Sequence, residues 1–72
     1  MKVVVRSHLT WRQDLSGELH LASGVTVGQL VQSFNLLWGE DAMVVVNNQM
    51  VDESYELQEG DQVELLVPLV GG

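Results

Sequence analysis

The first part of the chain carries the alternating pattern of β-strands. Residues 17–22 place Leu19 and Leu21 on one face and polar side chains on the other, a period of two. Residues 2–6 contain three consecutive valines, a β-branched run suited to a strand. The polar segment 7–16 separates the two. Because the strands are so close in sequence, we expect them to pair as an antiparallel hairpin.

The period then changes to that of an amphipathic helix. Five apolar residues recur at helical spacing over about three turns: Val27, Leu30, Val31, Phe34 and Leu37. Thr26 is a good N-cap residue, and Gln29 follows at the spacing of a capping box. Gly39 is placed to end the helix as a left-handed residue. The pattern therefore predicts a helix that begins after Thr26 and ends near Gly39.

The second half of the chain predicts three further strands. Residues 43–47 begin with four consecutive apolar positions, which indicates a strand covered on both faces or lying centrally. Asn47 and Asn48 tolerate positive φ and predict a turn, after which residues 50–51 resume as a short strand. Residues 62–67 alternate again and predict the last strand.

The order of elements predicts an α+β fold of the β-grasp type. A hairpin, a crossing helix and further strands give a mixed sheet of four to five strands with one main helix packed on one face. A turn at Gly60–Asp61 leads into the last strand, whose inward residues are Val63, Leu65 and Val67. The predicted core consists of Val3, Val5, Leu19, Leu21, Leu30, Phe34, Val45, Val63 and Leu65. We expect one domain over residues 1–70, followed by a Gly-Gly tail at residues 71–72.

Composition excludes several classes of protein. The chain has no cysteine, which excludes disulfides, a thiolate nucleophile and cysteine-ligated metals, and agrees with a cytoplasmic location. His8 and His20 lack supporting ligands, so we predict no metal site and no bound cofactor. No apolar run approaches the ~18 residues of a membrane span, and no signal-peptide pattern opens the sequence.

Charge is distributed unevenly along the chain. Ten acidic residues oppose three basic ones, for a net charge of −7. The basic residues all lie within the first twelve positions, and eight of the acidic ones lie between Glu40 and Glu64. This argues against nucleic-acid binding, because phosphates need a basic face. It favours a protein partner with a basic docking surface, although acidity that serves only solubility is the alternative.

The sequence ends on two glycines after an apolar segment and a proline. Gly71 and Gly72 have no side chains, so they can enter a channel too narrow for other residues and present a bare carboxylate there. The alternative is a frayed end without a role. Leu66 interrupts the alternation of the last strand and should point away from the core. With Leu69 it would form an apolar patch beside the tail, unless local loops cover both faces of the strand.

Three segments together resemble the bacterial ThiS/MoaD family of ubiquitin-like sulfur carriers. They are residues 44–48, residues 57–64 with the Gly60–Asp61 turn, and residues 68–72 with Gly71–Gly72. The resemblance covers most of the chain and also includes the start of the helix at Thr26. It implies the same β-grasp fold and a carrier rather than an enzyme.

In that family the chemistry takes place at the last residue. The resemblance implies that an E1-like activating enzyme uses ATP to convert the Gly72 carboxylate to an acyl-adenylate. Sulfur from a donor then displaces AMP and leaves a thiocarboxylate, which a synthase partner consumes. Gly71 gives the tail reach and thinness. The residues that we expect to bind partners are Leu66, Pro68, Leu69 and Val70.

The resemblance leaves the pathway and the acceptor open. Two features favour the molybdopterin type: Pro68 followed by the β-branched Val70 before Gly71-Gly72, and the long loop after the first strand. Val67 in place of a second proline, and the short connection from helix to Met43, favour the thiamin type; we lean slightly to molybdopterin. Two other functions remain: a ubiquitin-like modifier joined to lysines through Gly72, and a non-covalent β-grasp binding module.

Overall fold

A computed structural model describes residues 1–68 of the chain as a five-stranded mixed sheet with one α-helix. The strands lie in the order β2-β1-β5-β3-β4. Their bounds are β1 Lys2–Ser7, β2 Gly17–His20, β3 Met43–Val46, β4 Gln49–Met50 and β5 Gln62–Leu66. The helix α1 spans Val27–Ser33, and a 3-10 turn spans Gln13–Leu15. This confirms the predicted β-grasp fold. The predicted tail at residues 71–72 lies outside the described residues.

The pairing of the strands places the end of β5 at one end of the sheet. β1 pairs antiparallel with β2, which confirms the hairpin, and pairs parallel with β5. The parallel register matches Val4 with Gln62 and Ser7 with Leu65. The carboxyl end of β5 therefore lies beside the carboxyl end of β1, and the opposite end of the sheet carries Lys2.

The capping box predicted at the start of α1 is confirmed. The side chain of Thr26 accepts a hydrogen bond from the backbone N–H of Gln29 at 3.2 Å. The Gln29 side chain accepts one from the backbone N–H of Thr26 at 2.9 Å. Two of the N–H groups that a helix start leaves without partners are thereby satisfied.

The predicted end of the helix at Gly39 is wrong, because α1 ends about one turn earlier. Asn35 has a φ of 61° and takes the left-handed position that ends the helix. Its N–H donates to the carbonyl of Gln32, and the N–H of Leu36 donates to the carbonyl of Val31, the pair of bonds of a Schellman motif. Leu37, predicted on the apolar stripe, lies beyond this end and is 60% exposed.

The core lies between α1 and one face of the sheet. Of the predicted core residues, Val3, Val5, Leu30, Val63 and Leu65 are buried, and Leu19, Leu21 and Phe34 are partly buried against them. Further buried apolar residues are Leu9, Val27, Val31, Leu36, Ala42, Val44, Val46 and Leu57.

Two residues predicted to point inward do not: Val45 of the predicted core, and Val67 at the end of the last strand. Val45 is only partly buried, and its neighbours Val44 and Val46 occupy the core instead. The register explains this. Val46 pairs with the buried Val63, and the adjacent pair, Val45 with Glu64, therefore lies on the opposite face of the sheet. Val67 is exposed because β5 already ends at Leu66.

The predicted turn at Asn47 and Asn48 is confirmed. Both have positive φ, 50° and 67°, and they form the two-residue connection between β3 and β4. This is the backbone of a type I′ hairpin turn, for which asparagine is well suited. Gly60, with a φ of 83°, forms the predicted turn before β5. Together these two turns accompany the register of β3 with β4 and of β3 with β5.

Candidate functional site

The site predicted around the Gly-Gly tail begins where β5 ends. Leu66 is the last residue of β5, and Pro68 is the last described residue of the chain. The other predicted site residues, Leu69, Val70, Gly71 and Gly72, lie outside the described residues. What the structure provides is therefore the surface from which the tail departs.

Leu66 lies on the face of the sheet that the helix does not cover, here called the outer face. Val63 and Leu65 point into the core, so the alternation of β5 places Leu66 on the other side, as predicted. Its pairing partner in β3 is Met43. Leu66 is partly buried rather than fully exposed. Its role in partner binding stays a prediction.

A contiguous apolar patch extends from Leu66 across the outer face to the sheet edge. Met43 and Val45 of β3 are partly buried, and Met50 of β4 lies directly opposite Val45 and is 63% exposed. We call Met43, Val45, Met50 and Leu66 the outer apolar patch. An exposed methionine packs against differently shaped partners because its side chain is flexible, which suits a surface that serves more than one protein.

Charged residues border the patch on the β1 side. Glu64 lies between Val45 and Arg6 in register, with Arg6 on the parallel strand β1. The Oε1 atom of Glu64 is 3.0 Å from Nε2 of His8, and both side chains are partly exposed. The backbone N–H of His8 also donates to the carbonyl of Leu65 at 2.8 Å. Polar groups able to orient a partner therefore adjoin the apolar surface.

A groove of about 370 Å³ lies at the base of the tail and is lined by Pro68. Its walls include Trp38 from the loop after α1, and Met43 and Met50 from the outer apolar patch. Asp52 stands at its rim. The groove thus connects the patch to the point where the chain leaves the described fold.

The acidic character of the groove rim is set by the loop after β4. The backbone N–H and the hydroxyl of Ser54 both donate to Asp52, and these bonds hold the pKa of the Asp52 carboxyl below its ordinary value. Glu53 and Glu56 are exposed in the same loop. A partner that reaches the groove therefore meets the ionised Asp52 carboxylate, which agrees with the predicted preference for a basic docking surface.

A buried carboxylate joins this loop to the start of β5. Asp61 is only 5% exposed. Its Oδ1 accepts from Nδ2 of Asn47 at 2.8 Å, and its Oδ2 accepts from the Tyr55 hydroxyl at 3.1 Å and from the Gln58 N–H at 2.8 Å. Burial, and next the bond to Asp61, raise the pKa of Tyr55. Every acceptor oxygen of this carboxylate is thereby used to fix the position of β5.

The described residues contain neither a cluster of metal-ligating side chains nor a membrane-spanning helix. Among residues 1–68, no group of three or more His, Cys, Asp and Glu side chains could hold a metal ion. Within the same part of the chain, no helix is long and apolar enough to cross a membrane. His20 is exposed at the edge strand β2, as expected from the sequence.

The sequence predicts a site at the tail, and that location stays a prediction; the outer apolar patch could not be predicted in full. The sequence pattern at the end of the chain indicates the two glycines, Pro68 and Leu66 as site residues. It does not indicate Met43, Val45 and Met50, because consecutive apolar residues do not show which side chains face outward. The pairing register of the strands decides which side chains lie on the outer face. The turn at Asn47 and Asn48, both with positive φ, is the one part of this register that the sequence indicates.

Comparison with known proteins agrees with the predicted fold and family. A model of the ThiS family matches residues 9–72. The structure is similar to a putative molybdopterin converting factor, subunit 1, from Pyrococcus furiosus, with a TM-score of 0.78 and 27% identity over 96% of this chain and 99% of that chain. None of the curated proteins matches the chain.

Two further structures share the fold at lower identity. The thiamine biosynthesis protein ThiS from Geobacter metallireducens has a TM-score of 0.69 and 19% identity, with 100% of each chain covered. SAMP1 from Haloferax volcanii has a TM-score of 0.65 and 18% identity, covering 100% of this chain and 98% of that chain.

Proposed function

The chain belongs to the ThiS family, and on that premise we propose that it is a sulfur carrier that works through the carboxylate of Gly72. The family match carries this proposal, since it extends through the last residue of the sequence. In this proposal the chain is a protein co-substrate that other enzymes activate and consume. It carries no cofactor of its own.

Activation would proceed in two steps at one carbon atom. An E1-like adenylating enzyme directs a carboxylate oxygen of Gly72 at the α-phosphorus of ATP, so that pyrophosphate leaves and an acyl-adenylate forms. A sulfide nucleophile then attacks the carbonyl carbon, the bond from carbon to the phosphate oxygen breaks, and AMP leaves with the electron pair. The product is a thiocarboxylate, a better nucleophile than the original carboxylate.

The folded domain would contribute recognition. We propose that partners dock on the outer apolar patch and the adjoining groove, and so place the tail in their active sites. Leu66 and Pro68 belong to this surface, and Leu69 and Val70 would extend it toward Gly71. Partly buried apolar residues bordered by charges are the usual composition of a specific interface.

We favour a molybdopterin-type synthase as the sulfur acceptor, with the thiamin pathway as the second candidate. The resemblance of residues 68–72 to the molybdopterin type supports this order. So does the similarity to the Pyrococcus furiosus protein, whose name refers to molybdopterin conversion. Because the first step needs ATP and the second a reduced sulfur donor, we expect the chain to work in the cytoplasm.

The activation step can be tested separately from the sulfur transfer. Exchange of labelled pyrophosphate into ATP should require a ThiS/MoaD-type adenylating enzyme together with the chain, because the acyl-adenylate forms reversibly. A variant lacking Gly72 keeps the docking surface but retracts the carboxylate by about 3.5 Å, and should not support exchange. Equal exchange with and without Gly72 would contradict the proposal. If the activated chain were instead recovered on lysines of other proteins, the modifier function would replace the carrier function.

A further inference from the structure

Lysine occurs once in this chain, at Lys2, and cysteine does not occur at all. The Lys2 ammonium is therefore the only amine or thiol that any side chain of the sequence can offer to an activated carboxyl. Lys2 is exposed at the start of β1. Among residues 1–68, the ion pairs are those of His8 with Glu64 and Arg12 with Asp14, so no carboxylate engages this ammonium.

The cross-strand neighbour of Lys2 also leaves the amine accessible. Lys2 pairs with His20 of β2, an exposed residue on the same outer face. Met1 and Leu21 exchange backbone hydrogen bonds of 2.7 and 2.8 Å, so the adjacent pair of Lys2 and His20 is the closely spaced, non-hydrogen-bonded kind. The residue opposite Lys2 on β2 is thus an imidazole. The carboxylate of Glu59 accepts from the backbone N–H of Lys2 at 3.1 Å but forms no ion pair with the ammonium. The amine of Met1, in contrast, is held by the Leu21 carbonyl.

The topology keeps this amine away from the tail of its own chain. β1 and β5 are parallel, so Lys2 lies about six residues, or roughly 20 Å, from the level at which β5 ends. Pro68 adjoins the groove on the β3 side of β5, whereas β1 is on the other side. Four residues follow Pro68 and span at most about 14 Å, and a lysine side chain adds about 6 Å. Self-acylation would need both segments fully extended toward each other across the sheet.

We propose that Lys2 is the side-chain site at which a second copy of this chain, activated at Gly72, is attached. This rests on the proposed function for the supply of the activated carboxyl. The neutral Nζ of Lys2 attacks the Gly72 carbonyl carbon of the acyl-adenylate, and a C–N bond forms. The bond from carbon to the phosphate oxygen breaks, AMP leaves with the electron pair, and the amine releases its proton to solvent. The product is an isopeptide-linked dimer, and its free Lys2 and free Gly72 allow further additions.

The experiment uses the full chain with its Gly72 carboxyl prepared chemically as a thioester, so that no adenylating enzyme is needed. A failure of the proposed function therefore cannot be mistaken for a failure of this inference. Intact mass and gel analysis at several protein concentrations should show a covalent dimer whose rate of formation rises with the square of concentration. Monomer that has lost its thiol leaving group by cyclisation should be absent. Fragmentation should locate the new bond at Lys2.

Two variants test whether Lys2 is the attachment site and whether distance prevents the tail from reaching it within one chain. Lys2→Arg keeps the positive charge and should lower dimer formation at least tenfold. His8→Lys places an amine next to Leu65 at the tail end of the sheet, and should convert the reaction to first-order cyclisation. The inference would be overturned by dimers that persist in Lys2→Arg or by a new bond that maps to Met1. It would also be overturned if the unmutated chain cyclised or formed no dimer at all.

Discussion

Asn47 and Asp61 join the turn between β3 and β4 to the start of β5 through a pair of complementary contacts. The Asn47 amide nitrogen donates to Oδ1 of Asp61 at 2.8 Å, and the Asn47 amide oxygen accepts from the backbone N–H of Gln62 at 3.0 Å. Gln62 is the first residue of β5. The strand that carries the tail is therefore fixed at its start by side chains as well as by its pairing partners.

Replacement of Asp61 by asparagine should destabilise the fold although the two side chains have the same shape. Asp61 accepts three hydrogen bonds and is buried, so an NH2 group in place of either oxygen faces a donor without a partner. We expect the free energy of unfolding to fall by about 1–3 kcal/mol in denaturant titrations.

Glu59→Gln on the same turn is the matched control. Glu59 is exposed, and its side-chain oxygen accepts from the Lys2 N–H, which a glutamine oxygen also does. Its effect should stay within about 0.5 kcal/mol. Equal losses in the two variants would show that the Asp61 network does not hold the turn.

The single tyrosine of the chain should make stability decline at high pH. Burial and the bond to Asp61 raise the pKa of Tyr55 above its ordinary value of 10.0. The folded state thus keeps the phenolic proton longer than the unfolded state does. This contribution to stability is fully present below about pH 10 and is lost as pH rises through the folded pKa.

Ultraviolet titration of the phenolate measures this pKa directly, because no other tyrosine contributes. Unfolding measured from pH 8 to 11 should show a falling stability that Tyr55→Phe makes shallower. A midpoint at or below that of free tyrosine would contradict the assigned environment.

Met50→Asp should weaken binding of the adenylating enzyme without harming the fold. Met50 is 63% exposed and lies in both the outer apolar patch and the groove, so the charge costs little in the free chain and is unfavourable at an apolar contact. We expect the Kd from titration calorimetry to rise at least tenfold, about 1.4 kcal/mol or more.

Gln49→Asp adds the same charge one residue away, on the other face of β4, and should leave the Kd within about twofold. If Gln49→Asp raised the Kd more than Met50→Asp, the docking surface would lie on the other face of β4. Leu66→Asp is a less direct test, because Leu66 is partly buried and its replacement should also reduce stability.

Local signals in the sequence predicted the parts of the fold that local forces determine. Thr26 and Gln29 form the predicted capping box, and Asn47 and Asn48 the predicted turn, because each motif satisfies its own backbone groups. The sequence favours a helix end at Gly39 because glycine adopts the left-handed conformation more readily than asparagine. The actual end at Asn35 needs the burial of Leu36, which depends on the tertiary fold.

Faces and long-range contacts were harder to predict. Three consecutive valines in β3 give no alternation, so the sequence does not show which of them faces outward. The register with β5 places Val45 on the outer face. Leu9 is fully buried although it lies in the polar loop after β1, and nothing local indicates this. For the same reason the sequence does not show that Met43 and Met50, half of the outer apolar patch, face outward.

The central claim is that the Gly72 carboxylate is activated and exchanges an oxygen for sulfur. The most direct measurement is the intact mass of the chain after incubation with ATP, a ThiS/MoaD-type adenylating enzyme and a sulfide donor. The account predicts the mass increase for one oxygen replaced by sulfur, dependent on ATP and located at Gly72 by fragmentation. An unchanged mass, with an adenylating enzyme that forms the thiocarboxylate on its own carrier and binds this chain, would contradict it.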